Sequence, residues 1–212
     1  MSSRYLICLL LFAFCSCRNS SAHAGKHHKG DKLKLTVHST FFEILADSAM
    51  TLTEEEVKYD PAYYQISYPN GDIPADRGGC TDVIIRTYRK LGIDLQKAVH
   101  EDIDSAFNLY PHTWGLTGPD KNIDHRRVSN LMTFFTRKGA SLPITGNPND
   151  YLPGDVVAWD MGKGLSHIGI VVNDYSSDKK RHMIVHNIGT GQELADFLFE
   201  RSIAGHYRYR GN

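Results

Sequence analysis

Cysteine is scarce in this chain, and what little there is cannot brace it. Of four cysteines in 212 residues, Cys8, Cys15 and Cys17 crowd into the first segment and leave Cys80 alone. A disulfide framework is thereby excluded. Net charge is lacking as well. The 24 basic and 24 acidic residues cancel, so no polybasic signal points to nucleic acid or to an anionic membrane surface. No apolar run after the first segment is long enough to span a bilayer. Zinc spacing, phosphate-loop glycines and internal repeats are missing, and no metal or organic cofactor is implied. The stretch "HEDID" at His100 lacks a second histidine four residues on, which rules out a zinc-peptidase helix.

The first 24 residues read as an export signal: Arg4 supplies a weak positive region, and Tyr5 to Phe14 is apolar but short. Ala22-His23-Ala24 is one processing site, while Phe14-Cys15-Ser16-Cys17 resembles a loose lipoprotein box in which Cys17 would carry a lipid anchor. The expectation is therefore an exported protein, either free in the periplasm or anchored to the outer membrane. Removing the leader takes away Arg4 and Arg18 and no acid, so 24 acidic against 22 basic residues leaves a net of −2. Residues 25–38 form a polar tether, and residues 39–212 are long enough for one domain with a real core.

Along that domain the pattern predicts helices first. Thr40-Phe41-Phe42-Glu43 is a capping box opening a helix to about Met50. A tyrosine-rich irregular segment follows, with a turn at Asn70-Gly71. From about Thr81 a helix places Ile84, Tyr88 and Leu91 on one face and stops at Gly92. Another runs from Asp94 to Leu109, and a fourth from an Asp124 cap through Val128, Leu131, Met132 and Phe135 to Gly139. Then the period changes. Asp155–Trp159, His167–Val172, Met183–His186 and Gly205–Arg210 are short β-rich runs separated by turns. Helices followed by antiparallel strands make an α+β layout.

The lone Cys80 stands at the start of a predicted helix, just after Gly78-Gly79. The positive end of that helix favours a thiolate there, and the glycines permit close approach. A buried cysteine serving as a small hydrophobe is the plain alternative. A base is required as well. His167 opens "HIGIVV", where Ile168, Ile170 and Val172 point to one face and His167 shares the other with Gly169, whose missing side chain leaves room for a partner. His186 ends the next strand, across a hairpin. Cys80, His167 and His186 together could supply nucleophile, base and orienting group.

"YPNGDIPADRGGCTDVIIRTYRKLGIDL" (68–95), "LPGDVVAWD" (152–160), "SHIGIVV" (166–172) and "MIVHNIG" (183–189), in this order, resemble the NlpC-type papain-like cysteine peptidases. A nearer resemblance, at "CTDV", "VHED", "NIDHRR" and "HNIG", is to an uncharacterised group of exported bacterial proteins within that superfamily, a domain of unknown function. The resemblance implies a papain-like fold with helices packed on a small antiparallel sheet, Cys80 as nucleophile, His167 as base and His186 orienting it, with Asn187 a rival for the third role. Tyr68 and the Cys80 backbone amide become oxyanion candidates. The implied activity is hydrolysis of an amide or peptide bond, foremost in peptidoglycan stem peptides. A thiol acyltransferase, a wall-binding protein with a dead site, and a structural domain whose cysteine is core remain alternatives.

The chain departs from that family where Gly79, Thr81 and Asp82 flank the cysteine. Asp82 opposes thiolate formation unless paired, with Arg86 one turn on as the candidate partner. His125 and Arg126 are candidates for binding a substrate carboxylate.

Overall fold

The structure, a computed structural model, describes residues 40–113, 115 and 117–211. The expected export signal, the expected Cys17 lipid anchor and the expected tether all fall outside these residues. Helix α1 (Phe41–Leu52) begins where the capping box requires: Thr40 N–H donates to Glu43 Oε2 (2.6 Å), and Glu43 N–H donates to Thr40 Oγ1 (3.3 Å). Leu45, Ala46, Ala49 and Leu52 form its buried stripe.

Two short strands, β1 (Lys58–Tyr59) and β2 (Arg77–Gly78), pair in parallel just before helix α2 (Cys80–Lys90). The periodicity predicts one apolar face for α2. Instead every residue from Thr81 to Tyr88 is buried, because α1, α3 (Leu95–Ala106) and the sheet pack around it. Its polar side chains are answered individually, as by Thr87 Oγ1 donating to Val83 O (2.7 Å). The helix ends at Gly92 (φ 80°), with Gly92 N–H on Arg89 O and Ile93 N–H on Tyr88 O, a two-bond glycine terminus.

The fourth expected helix is interrupted. Asp124–Arg126 forms a single 3₁₀ turn, Arg127 is extended (φ −115°, ψ 121°), and helix α4 runs only over Val128–Arg137. Asp124 does not cap it. Its carboxylate accepts from His100 Nδ1 and from Asp120 N–H, both at 2.9 Å, and so turns away from the α4 start.

Strands β3 (Val156–Gly162), β4 (Leu165–Tyr175), β5 (His182–Asn187), β6 (Gln192–Ala195) and β7 (Ser202–Tyr207) form one antiparallel sheet in the order β6-β5-β4-β3-β7. The molecule is thus mixed α+β with a five-stranded antiparallel sheet. One face of the sheet, with Val156, Ala158, Ile168, Ile170, Val172 and Val185, closes the helical core. The other face carries a separate cluster of Val157, Trp159, Val171 and Ile184 with Tyr151 and Leu198. The Pro-Gly-Asp element enters β3 through a tight junction. A Cβ at Gly154 (φ 87°) would lie 2.5 Å from Phe42 O, so only glycine lets the strand entrance meet α1. Buried Asp155 accepts from Leu152 N–H (2.8 Å), His206 Nε2 (2.9 Å) and Arg208 Nη1 (2.5 Å), tying β3 to β7. No helix among the described residues is long and apolar enough to cross a membrane.

Candidate active site

The turn leading into Cys80 is held from three directions. The β1–β2 pair fixes Arg77 and Gly78, Asn187 Nδ2 donates to Gly78 O (3.0 Å), and Gly79 N–H donates to Asp82 Oδ2 (2.7 Å). Asp82 is paired not with Arg86 but with Arg126, whose Nε reaches Oδ1 at 2.9 Å and Nη2 reaches Oδ2 at 3.1 Å; both side chains are 3% exposed. Arg86 is occupied by Asp72 and the Pro74 carbonyl. Arg126 also donates to the carbonyls of Ala62 (2.7 Å) and Asp60 (3.2 Å), and His125 is buried with Nδ1 unpartnered. Neither residue is placed to receive a substrate carboxylate, because Arg126 is spent inside the protein and burial holds His125 near neutrality by lowering its pKa to about 3.

Cys80 is free and half-buried. The expected lowering of its pKa at the helix start is outweighed. Burial raises the thiol to about 11 and the Asp82 carboxylate adds to that, while the N–H groups of Ile168, Thr81 and Cys80 itself pull the other way. A tyrosine does stand beside it, but that tyrosine is Tyr59. A Cβ on Gly79 would lie 3.8 Å from the Tyr59 ring, and burial together with Cys80 and Asp82 raises the Tyr59 hydroxyl pKa. Tyr68 packs edge-on against His100 (5.2 Å) with Lys121 over its ring. The β1–β2 pairing brings Tyr59 to the site, and two residues of strand leave no pattern in a sequence.

His167 and His186 meet on the second face of the sheet. His167 Nε2 lies 2.7 Å from His186 Nδ1. Trp159, its cross-strand partner on β3, stacks on His167 at 5.7 Å, and Phe197 closes over both imidazoles at 5.5 and 4.7 Å. This cage desolvates the pair. Burial, then the neighbouring His186, lowers the His167 pKa to about 3; burial lowers that of His186, partly offset by Glu193. Both rings are neutral at neutral pH. Gly169 provides the expected space, since a Cβ there would come within 2.6 Å of Ile184 Cγ2 and 3.2 Å of His186 Cβ. Alternation turns Asn187 the other way, toward Gly78 and the Gly189 N–H (3.2 Å).

The β4–β5 ladder begins at Ile170↔Val185, so the His167–Gly169 end of β4 lies ahead of its first pair. The start of α2 approaches β4 there: the Ile168 N–H that favours the Cys80 thiolate belongs to the residue after His167. Among the described residues no hydrogen bond joins Cys80 to His167. Sequence reasoning also missed Glu193, whose Oε1 stands 3.9 Å from His186 Nε2.

The chain is 47% identical over 165 residues to "Uncharacterized protein YijF" of Escherichia coli (strain K12), covering 78% of this chain and 80% of that protein. No solved structure matches. The family model described as "Domain of unknown function (DUF1287)" matches residues 46–209. On that match, which takes in Cys80, His167 and His186 alike, the chain belongs to the DUF1287 family.

Proposed function

We propose that the protein is an exported cysteine hydrolase of papain-like, NlpC-type fold that cleaves an amide bond in peptidoglycan stem peptides. One observation carries the reading: a neutral imidazole, oriented by a second imidazole at 2.7 Å, sits one residue from the peptide N–H that faces a thiol at a helix start. In this mechanism His167 Nδ1 takes the Cys80 proton as Sγ attacks the scissile carbonyl. The Cys80 N–H and the Tyr59 hydroxyl donate to the oxyanion. Collapse expels the amine, which leaves with the proton held by His167, and forms a thioester. Water deprotonated by His167 then attacks the thioester and releases the acid and the thiol.

A second reading, a wall-binding protein that performs no chemistry, is favoured by the raised thiol pKa and by the missing Cys80–His167 bond. Cross-linked muropeptides incubated with the protein and analysed by mass spectrometry separate the two. New amine and carboxyl ends, abolished in Cys80→Ala and reduced by about two to four orders of magnitude in His167→Ala, are the expected result. A folded wild-type protein that yields no product, yet binds sacculi as tightly as Cys80→Ala does, would overturn the hydrolase.

A further inference from the structure

We infer that Glu193 is a positioning residue that selects the tautomers of His186 and His167. The inference rests on the hydrolase reading for its purpose but not for its test. His186 and Glu193 are direct cross-strand partners on β5 and β6, so they share a face. Glu193 Oε1 lies 3.9 Å from His186 Nε2 and accepts from Thr190 Oγ1 at 2.8 Å, which aims that oxygen. His186 Nε2 is buried and has no hydrogen-bond partner, while the Glu193 side chain is 42% exposed and has room to close the gap directly or through one water.

Proton accounting does the rest. The 2.7 Å contact between His167 Nε2 and His186 Nδ1 carries one hydrogen between two neutral rings. If His186 holds it on Nδ1, its Nε2 presents a bare lone pair to a carboxylate, and the single ring hydrogen of His167 sits on Nδ1, which then cannot act as base. If His186 is protonated on Nε2 instead, that N–H faces Glu193, Nδ1 accepts from His167 Nε2–H, and His167 Nδ1 is left bare. The carboxylate favours the second arrangement. The titratable groups against His186 are His167 from β4 and Glu193 from β6, and the Phe197 ring closes the remaining side.

Long-range ¹H–¹⁵N spectra of the imidazoles at neutral pH test this directly. Wild-type protein should show Nε2–H on both rings and a bare His167 Nδ1. Glu193→Ala should populate both tautomers of each ring, Thr190→Val should do so partially, and Glu193→Gln, whose amide oxygen still accepts, should restore the wild-type pattern. Muropeptide turnover should fall about tenfold in Glu193→Ala and recover in Glu193→Gln, the order found when an outer partner orienting a metal-bound histidine is removed. Nδ1–H on His186 in the wild type, or identical spectra in folded Glu193→Ala, would overturn the inference. Correct tautomers in a protein without hydrolytic activity would instead remove the hydrolase and leave the tautomer assignment standing.

Discussion

Replacing Arg126 by Met should be among the most damaging single changes outside the apolar core. The guanidinium makes two bonds to Asp82 and two to main-chain carbonyls, at 2.7–3.2 Å, with 3% of the side chain exposed. Arg126→Met leaves the Asp82 carboxylate buried with only the Gly79 N–H as partner. Removing one member of a buried pair costs about 3–5 kcal/mol, because the remaining charge is uncompensated. For a domain of this size each kcal/mol shifts Tm by about 2–4 °C, so a fall of roughly 6–20 °C is expected. Urea unfolding followed by far-ultraviolet circular dichroism measures it. Asp82→Asn combined with Arg126→Met should recover part of the loss, since the two sites share one interaction. A loss below about 1 kcal/mol, the range of exposed pairs, or strict additivity in the double variant, would refute the reasoning.

Thr40→Ala removes the hydroxyl of the capping box and should cost about 1 kcal/mol in urea unfolding while leaving the Cys80 alkylation rate unchanged. With the thiol raised from 9.0 to about 11, neutral solution holds about a hundredfold less thiolate than an unperturbed cysteine, so iodoacetamide should react slowly and accelerate into strongly alkaline pH. A rate plateau reached below about pH 8 would contradict that assignment. His125 and His167 are depressed to about 3 and His186 is depressed too, whereas in the unfolded chain all three protonate near 6.5. The unfolded state therefore binds more protons between these limits. Stability is full above about 6.5 and is lost as pH falls toward about 3, and His125→Leu should make that decline in the urea midpoint shallower. Gly169→Ala drives a Cβ toward Ile184 and the Val185 carbonyl and should cost roughly 1–3 kcal/mol while disturbing the imidazole pair, seen as shifted His186 ring signals.

Features decided within one turn of chain were legible in the sequence. The Thr40 capping box, the Gly92 stop and the alternation that sends Ile168 and His167 to opposite faces each depend on neighbours a few residues away. Features decided by distant partners were not. Arg86 lies at helical spacing from Asp82, yet Arg126, 44 residues on, takes the carboxylate. The helix dipole argued for a thiolate at Cys80, but three elements pack around α2 and desolvation reverses the direction. Asp124 has the residue type of a cap and spends its carboxylate on His100. Strand β6, Gln192–Ala195, carries no β-branched residue and exists because β5 offers it an edge.

The sheet has two faces, and the candidate site draws on both. Cys80 belongs to the helical side, whereas His167 and His186 belong to the Trp159 cluster behind it. His167 lies where β4 runs ahead of its first pair with β5, one residue from the Ile168 N–H that faces the Cys80 thiol. The alignment of the thiol with the imidazole pair therefore depends on the integrity of two separately packed cores. Loosening either one moves the thiol relative to the imidazoles before the chain as a whole gives way. In graded denaturant the reactivity of Cys80 should depart from its native value ahead of the loss of helix, and a core substitution on either face should bring that departure earlier.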